Sequence, residues 1–220
     1  MGSLPFFGGA RIQDNAVPPA QCTSGFGLVR QADRAQLLIT ANHCYPNGQA
    51  VFNGVPPGGA GRVQIGTVRV NVPRGDSEAI QIAAPGTAGA FVYVGGVNNP
   101  TEGTARVTGV GINIRNQFVC TSGSFTGQSC RLQIVDTARF IGETVRGVRI
   151  RVGPLNRADS RLGAVAAGQG DSGGPVIRFG ASLGRVDGMG QIITGDNQFV
   201  CPGPRLCSTK KTVDRFSSAC

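Results

Sequence analysis

Tryptophan is absent from this chain of 220 residues, histidine occurs once, and lysine occurs only at Lys210 and Lys211. Charged residues make up 15% of the sequence, too few for a long disordered stretch or a coiled coil, while an apolar share of 40% is enough to bury a core. No apolar run approaches the ~18 residues of a membrane-spanning helix, so membrane insertion is not expected. None of the seven cysteines sits in a Cys-x-x-Cys pair, and one histidine gives little from which to build a zinc site. No metal or organic cofactor is therefore expected. Residues 1–10 lack the basic start and long apolar stretch of a secretory leader, so the chain reads as a mature form whose targeting segment has been removed.

The charge is lopsided. A net +9 comes almost wholly from arginine, 19 residues of it, spread singly along the chain. With no recognition helix and no aromatic platform beside them, these arginines read as a solvated basic face, and nucleic acid is not an expected partner. Seven cysteines in a chain of this size point to disulfides and to an oxidising, extracellular compartment. Cys220, at the very end, is the natural odd one out.

High glycine and proline, 35 and 13 residues, accompany period-2 alternation from end to end. Val68, Val70 and Val72 alternate with Arg69 and Asn71, and Val148, Ile150 and Val152 alternate with Arg149 and Arg151. Further strands are expected at 26–31, 36–41, 62–66, 78–83, 90–94, 105–114, 130–135, 175–179 and 184–193, separated by turn signals such as Pro46-Asn47-Gly48. So many short strands predict an all-β fold of two antiparallel barrels or sandwiches, with 95–103 as the crossing between them. The expected division is 8–98, 99–207 and a tail over 208–220. The tail reads as a helix, capped by Ser208 or Thr209, with Val213 and Phe216 on one face.

Chemistry concentrates in three places. In Gly170-Asp171-Ser172-Gly173-Gly174-Pro175 a hydroxyl stands on a tight turn, and flanking glycines leave backbone N–H groups open to an anion. A Gly-rich hairpin with an acidic turn residue is the plainer alternative. In Leu37-Leu38-Ile39-Thr40-Ala41-Asn42-His43-Cys44 an apolar strand ends at the only imidazole in the chain, so any base for Ser172 must be His43. A core-edge histidine satisfied by backbone is the competing reading. A carboxylate is needed to hold that imidazole. Asp76, at a loop-to-strand junction before Ala79, Ile80 and Ile82, is the first choice among nine aspartates, and Glu78 the second.

The order His43, Asp76, Ser172, with Thr-Ala-x-His-Cys and Gly-Asp-Ser-Gly-Gly-Pro around the first and last, resembles the chymotrypsin-like serine proteases. Gly8-Gly9, Cys22-Thr23-Ser24-Gly25-Phe26 and the Cys120–Cys130 stretch, CTSGSFTGQSC, are similar to the secreted bacterial streptogrisin and alpha-lytic branch. The likeness spans roughly residues 8–200. It implies two antiparallel β-barrels, with His43 and Asp76 on the first and Ser172 on the second. It also implies a secreted endopeptidase that acts on proteins or peptides, expected as a monomer. His43 would be general base, Asp76 its orienting partner and Ser172 the nucleophile, with the N–H groups of Gly170 and Ser172 as oxyanion hole. Asp171 would be structural, and the disulfides Cys22–Cys44 and Cys120–Cys130. Cys201–Cys207 is assigned by proximity alone.

The primary pocket would be walled by Ala166, Ala167, Gly168 and Gln169 and by Asp187, Gly188, Met189 and Gly190. Small apolar walls favour an apolar side chain before the cleaved bond, unless Asp187 faces the pocket. Two departures stand out. Relatives carry an arginine where this chain has Thr121, so Asp171 must find another cation or rely on hydrogen bonds. Relatives also carry a cysteine at the place of Ala166. A protease homologue that binds without cleaving is the rival from another class, and a basic module adhering to acidic polymers is a third.

Overall fold

The computed structural model describes residues 5–55, 58–97, 103–145, 147–162, 165–182, 184–194 and, as backbone, 212–217. Two sheets account for the described strands. The first holds β2 (Arg11–Gln13), β3 (Gln21–Thr23), β4 (Gly27–Val29), β5 (Gln36–Thr40), β6 (Ala50–Asn53), β7 (Gln64–Val72) and β8 (Ser77–Ile82), in the order β3-β2-β6-β7-β8-β5-β4. Its inner face is apolar: Ile12, Leu38, Val51, Ile65, Val68 and Ile80 pack with Tyr45 and with Phe6 from β1 (Phe6–Gly8). Burying each such aliphatic side chain contributes about 1.5–3 kcal/mol.

The second sheet has nine strands, β1-β9-β10-β15-β14-β11-β12-β13-β16. These are β9 (Ala88–Tyr93), β10 (Thr104–Val110), β11 (Phe118–Gly123), β12 (Gly127–Val145), β13 (Val148–Ser160), β14 (Pro175–Phe179), β15 (Arg185–Thr194) and β16 (Thr212–Ser217). β16 pairs with both β13 and β15, which closes β15-β14-β11-β12-β13-β16 into a barrel. Val119, Leu132, Ile134, Val176, Met189 and Ile192 fill part of its interior. Leu37, Ile39 and Ala79 of the first sheet, with Phe26 just before β4, pack on Val92, Ala105, Ile177 and Val186 of the second, fixing the two sheets against each other. The all-β, double-barrel architecture is therefore the one the sequence predicts. Two pairings, β1 with β9 and β10 with β15, are parallel, since these strands are joined by connections too long to act as hairpins.

The tail departs from expectation. Thr212–Ser217 is a strand and not a helix, with Phe216 in register with Asn156 on one side and Ile192 on the other. A helix of about ten residues is marginal on its own, whereas the gap between β13 and β15 offers hydrogen-bonding partners on both edges. Among the described residues two disulfides are present, Cys22–Cys44 and Cys120–Cys130, as the resemblance implies. Cys201, Cys207 and Cys220, and most of the crossing at 95–103, lie outside the described residues.

Candidate active site

β5 ends at Thr40, and the turn that follows carries Asn42, His43 and Cys44. Cys44 is bonded to Cys22 in the middle of β3, so the imidazole stands on a turn fastened at its next residue. That bridge closes a separation of 22 residues, a constraint worth ~3 kcal/mol in the chain-entropy account. Opposite it, Pro73–Gly75 forms a 3-10 turn that leads into Asp76, held in the left-handed region at φ 44°. Aspartate tolerates that region better than most side chains, and the backbone turn aims its carboxylate inward.

Asp76 is fully buried. Its Oδ1 accepts the His43 backbone N–H at 2.9 Å and its Oδ2 meets His43 Nδ1 at 2.7 Å. A carboxylate only accepts, so Nδ1 must carry the ring proton and Nε2 is left as the basic nitrogen. The Asp76 carbonyl is pinned from two sides, by the Asn42 N–H at 3.1 Å and by Gln191 Nε2, reaching across from β15, at 2.9 Å. Glu78, the second-choice carboxylate, is also buried but points elsewhere: its Oε2 accepts from Asn71 Nδ2, which also donates to Asn42 Oδ1. Beneath the same turn lies Tyr45, fully buried, with its hydroxyl donating to the Ile12 carbonyl at 2.9 Å. Burial, with Asp14 and Glu78 nearby, raises this phenol well above its ordinary pKa of 10.0.

The serine loop comes from the second sheet. Gly170 (φ 91°) and Gly173 (φ 87°) are in conformations that disfavour other residues. A methyl on Gly170 would strike the Phe125 ring, and one on Gly173 would strike Thr40 and Thr23. Thr23 ties this loop to the first sheet. Its N–H donates to the Ser172 carbonyl at 2.9 Å and its hydroxyl to the Gly170 carbonyl at 2.8 Å. The N–H groups of Gly170 and Ser172 themselves have no acceptor among the described residues.

Asp171 resolves the departure at Thr121. The carboxylate is fully buried, and no cation reaches it among the described residues. Hydrogen bonds surround it instead: Oδ1 accepts Phe125 N–H at 2.8 Å and Thr126 N–H at 3.3 Å, while Oδ2 accepts Thr126 Oγ1 at 2.6 Å and Gly168 N–H at 2.7 Å. Gly123 leaves the space, since a methyl there would collide with the carboxyl group. Thr121 itself donates to the Ala166 carbonyl at 2.6 Å, fastening the stretch where relatives place a cysteine.

His43, Gln169, Gly170 and Ser172 line one cleft of about 610 Å³, together with Phe125 and with Pro19–Cys22. None of the residues expected as a wall at 187–190 is among those that line this cleft. Asp187 forms a 2.8 Å ion pair with Arg178 on the β14–β15 hairpin, and Met189 is buried in the barrel core. The segment against the serine loop begins at Ile192, whose carbonyl accepts Gly173 N–H at 2.7 Å. The long strand β15 thus reaches the loop a few residues later than its sequence indicates. Ala166 and Ala167 are buried, small and apolar. Thr23 and Phe125 lie in stretches that carry the resemblance, yet neither they nor Gln191 were expected as site residues. For metal binding, the tightest group among the described residues is Cys22, His43 and Cys44, and the disulfide occupies both sulfur atoms.

Comparison with known proteins agrees with this geometry. A family model described as trypsin matches residues 28–199. The chain belongs to the trypsin family. It is a serine-type endopeptidase of a family that acts on proteins and peptides. No curated protein matches it in sequence. Its fold is shared with Thermobifida fusca protease A, at 22% identity and a TM-score of 0.67, over 96% of this chain and 90% of that one. It is also shared with Nocardiopsis protease, at 23% identity and a TM-score of 0.67, over 96% and 91%. Cellulomonas bogoriensis chymotrypsin gives 24% identity and a TM-score of 0.63, over 96% and 90%.

Proposed function

We propose that this trypsin-family protein is a secreted bacterial endopeptidase that cleaves through His43, Asp76 and Ser172. Ser172 Oγ attacks the scissile carbonyl while His43 Nε2 accepts its proton. The N–H groups of Gly170 and Ser172 hold the resulting oxyanion, each such donor being worth ~3 kcal/mol in the transition state. His43 then protonates the leaving amine, and water hydrolyses the acyl-enzyme by the same steps reversed, the mechanism established for the family template. Asp76 keeps the ring in the required tautomer throughout.

One observation carries the reading. Asp76 grips both the backbone and the ring of His43, on the wall of the cleft that Ser172 also lines. The hydrogen-bonded state of Asp171 counts against the rival, a homologue that binds without cleaving, because no unpaired charge is left to distort the loop. Secretion rests on the two disulfides. A preference for an apolar residue before the cleaved bond rests on the small apolar character of Ala166 and Ala167. The test is covalent labelling with a serine-directed organophosphonate. Stoichiometric modification of Ser172 with loss of hydrolysis supports the enzyme, and a folded protein that resists the reagent supports the binding homologue. Cleavage-site profiling on a peptide mixture checks the apolar preference.

A further inference from the structure

β12 and β13 outrun the barrel that they help to close. β12 runs for 19 residues, but β11 pairs with it only as far as Gln133, and β16 pairs with β13 only from Asn156 onward. The remainder, from about 139 to 152, is a two-stranded ribbon, Ile141 against Val152 through Val145 against Val148. Among the described residues no strand pairs with the other edge of β12 along this ribbon. An open strand edge presents a row of N–H and C=O groups ready to pair with another chain.

The ribbon has one buried and one open face. Ile141, Val145 and Val152 are buried, while Phe140, Gly142, Thr144, Arg149 and Arg151 are exposed. Both arginines lean from β13 across β12, toward its open edge. The Arg151 guanidinium lies 4.3 Å from the centre of the Phe140 ring, and Arg149 lies 3.4 Å from where a side chain on Gly142 would begin. Gly142 therefore opens the gap through which Arg149 passes. Neither arginine has a carboxylate partner among the described residues. Together with Phe140 and Gly142 they line a groove of about 420 Å³.

Two unpaired guanidinium groups beside an open strand edge call for an anionic partner with a backbone of its own. Arg149 and Arg151 are two positions apart on one face, about 6.6 Å along the strand, the same interval that separates alternate side chains of an extended peptide. We propose that the outer edge of β12, at Phe140–Thr144, docks an extended acidic segment of polypeptide substrates by strand addition, with Arg149 and Arg151 taking carboxylates at alternate positions. That the guest is a substrate rests on the peptidase reading; the docking itself does not. The surface would hold protein substrates by residues other than those that line the catalytic cleft.

The test uses the whole chain carrying Ser172→Ala, so that the probe survives, with fluorescence anisotropy of a labelled peptide of alternating Glu and Val. Binding is expected to be about tenfold tighter than for an alternating Gln and Val peptide, and to lose that margin near 0.5 M salt. The pair Arg149→Glu and Arg151→Glu should abolish the margin, and in the Ser172 protein should leave hydrolysis of a short neutral peptide unchanged, which also reports correct folding. Equal binding of the acidic and neutral peptides, or binding that survives charge reversal, overturns the proposal. So does equal binding of an acidic peptide N-methylated at alternate residues, which identifies a plain polyanion surface without strand addition. Failure of all hydrolysis alongside intact acidic-peptide binding overturns the enzyme and leaves the docking edge standing.

Discussion

Thr23 lies in β3 of the first sheet and Ser172 in the turn before β14 of the second, yet the Thr23 N–H donates to the Ser172 carbonyl at 2.9 Å. Thr23 follows Cys22, and Cys22 is bonded to the neighbour of His43. The imidazole and the hydroxyl are thus fixed to one short piece of chain, which sets their approach more tightly than the packing of the two sheets would alone. Positioning of this kind is worth much in catalysis, since displacement by about 1 Å can cost on the order of a hundredfold in rate.

Replacing Thr23 by Val keeps the shape and deletes the hydroxyl that holds the Gly170 carbonyl. Stability should fall by about 1–2 kcal/mol in denaturant titration. Peptide hydrolysis should lose about ten- to a hundredfold in kcat with KM little changed. An unaltered kcat would show that the hydroxyl does not position the serine loop.

Asp76→Asn should lower kcat by about 10³- to 10⁴-fold, because an amide no longer enforces the Nδ1–H tautomer. Glu78→Gln should change little, since its amide oxygen still accepts from Asn71. Steady-state kinetics of the two variants decide the identity of the orienting carboxylate, and exchanged outcomes would reassign it to Glu78.

Asp171→Asn turns a group that only accepts into one with an NH₂ facing donors from Gly168, Phe125 and Thr126. Thermal unfolding should register a loss of about 2–3 kcal/mol. The organophosphonate should then react slowly with Ser172, as the oxyanion loop relaxes. Thr126→Val, which removes one donor of the four, should cost about 1 kcal/mol.

Tyr45 predicts an alkaline limit. Its folded pKa is raised above the ordinary 10.0, chiefly by burial, so the neutral phenol contributes stability that is whole below pH 10.0 and is lost as pH rises beyond it. Tyr45→Phe should therefore flatten the fall in stability above pH 10.0. At neutral pH it should cost about 1–2 kcal/mol, because the Ile12 carbonyl loses its donor. Denaturant titrations on both sides of that pH provide the check.

The positions of His43, Asp76 and Ser172 were legible because each sits where a local pattern changes: an apolar strand ending, a loop entering a strand, a run of glycines. β5, β8 and β14 were legible for the same reason, being apolar and bounded by turns. β11 was not. Phe118–Gly123 is buried from Val119 onward between β12 and β14, so its small polar residues show no alternation. Arg11–Gln13 and Gln21–Thr23 are too short to carry a period at all. The spacing of Val213 and Phe216 fits a helix face and a bulged strand equally well, and only the distant gap between β13 and β15 decides between them. Where β15 meets the serine loop was not legible for a related reason: its ten strand residues offer no landmark.

The buried acid beside Ser172 is held by donors that all come from residues 125–126 and from Gly168, three positions away in its own loop. Those two segments consequently behave as one cassette. A graft that moved the GDSGG run into another scaffold without its CTSGSFTGQSC companion would carry an orphaned negative charge, and a swap of the companion alone would strand it in place. Engineering this enzyme's selectivity means exchanging both pieces together or neither.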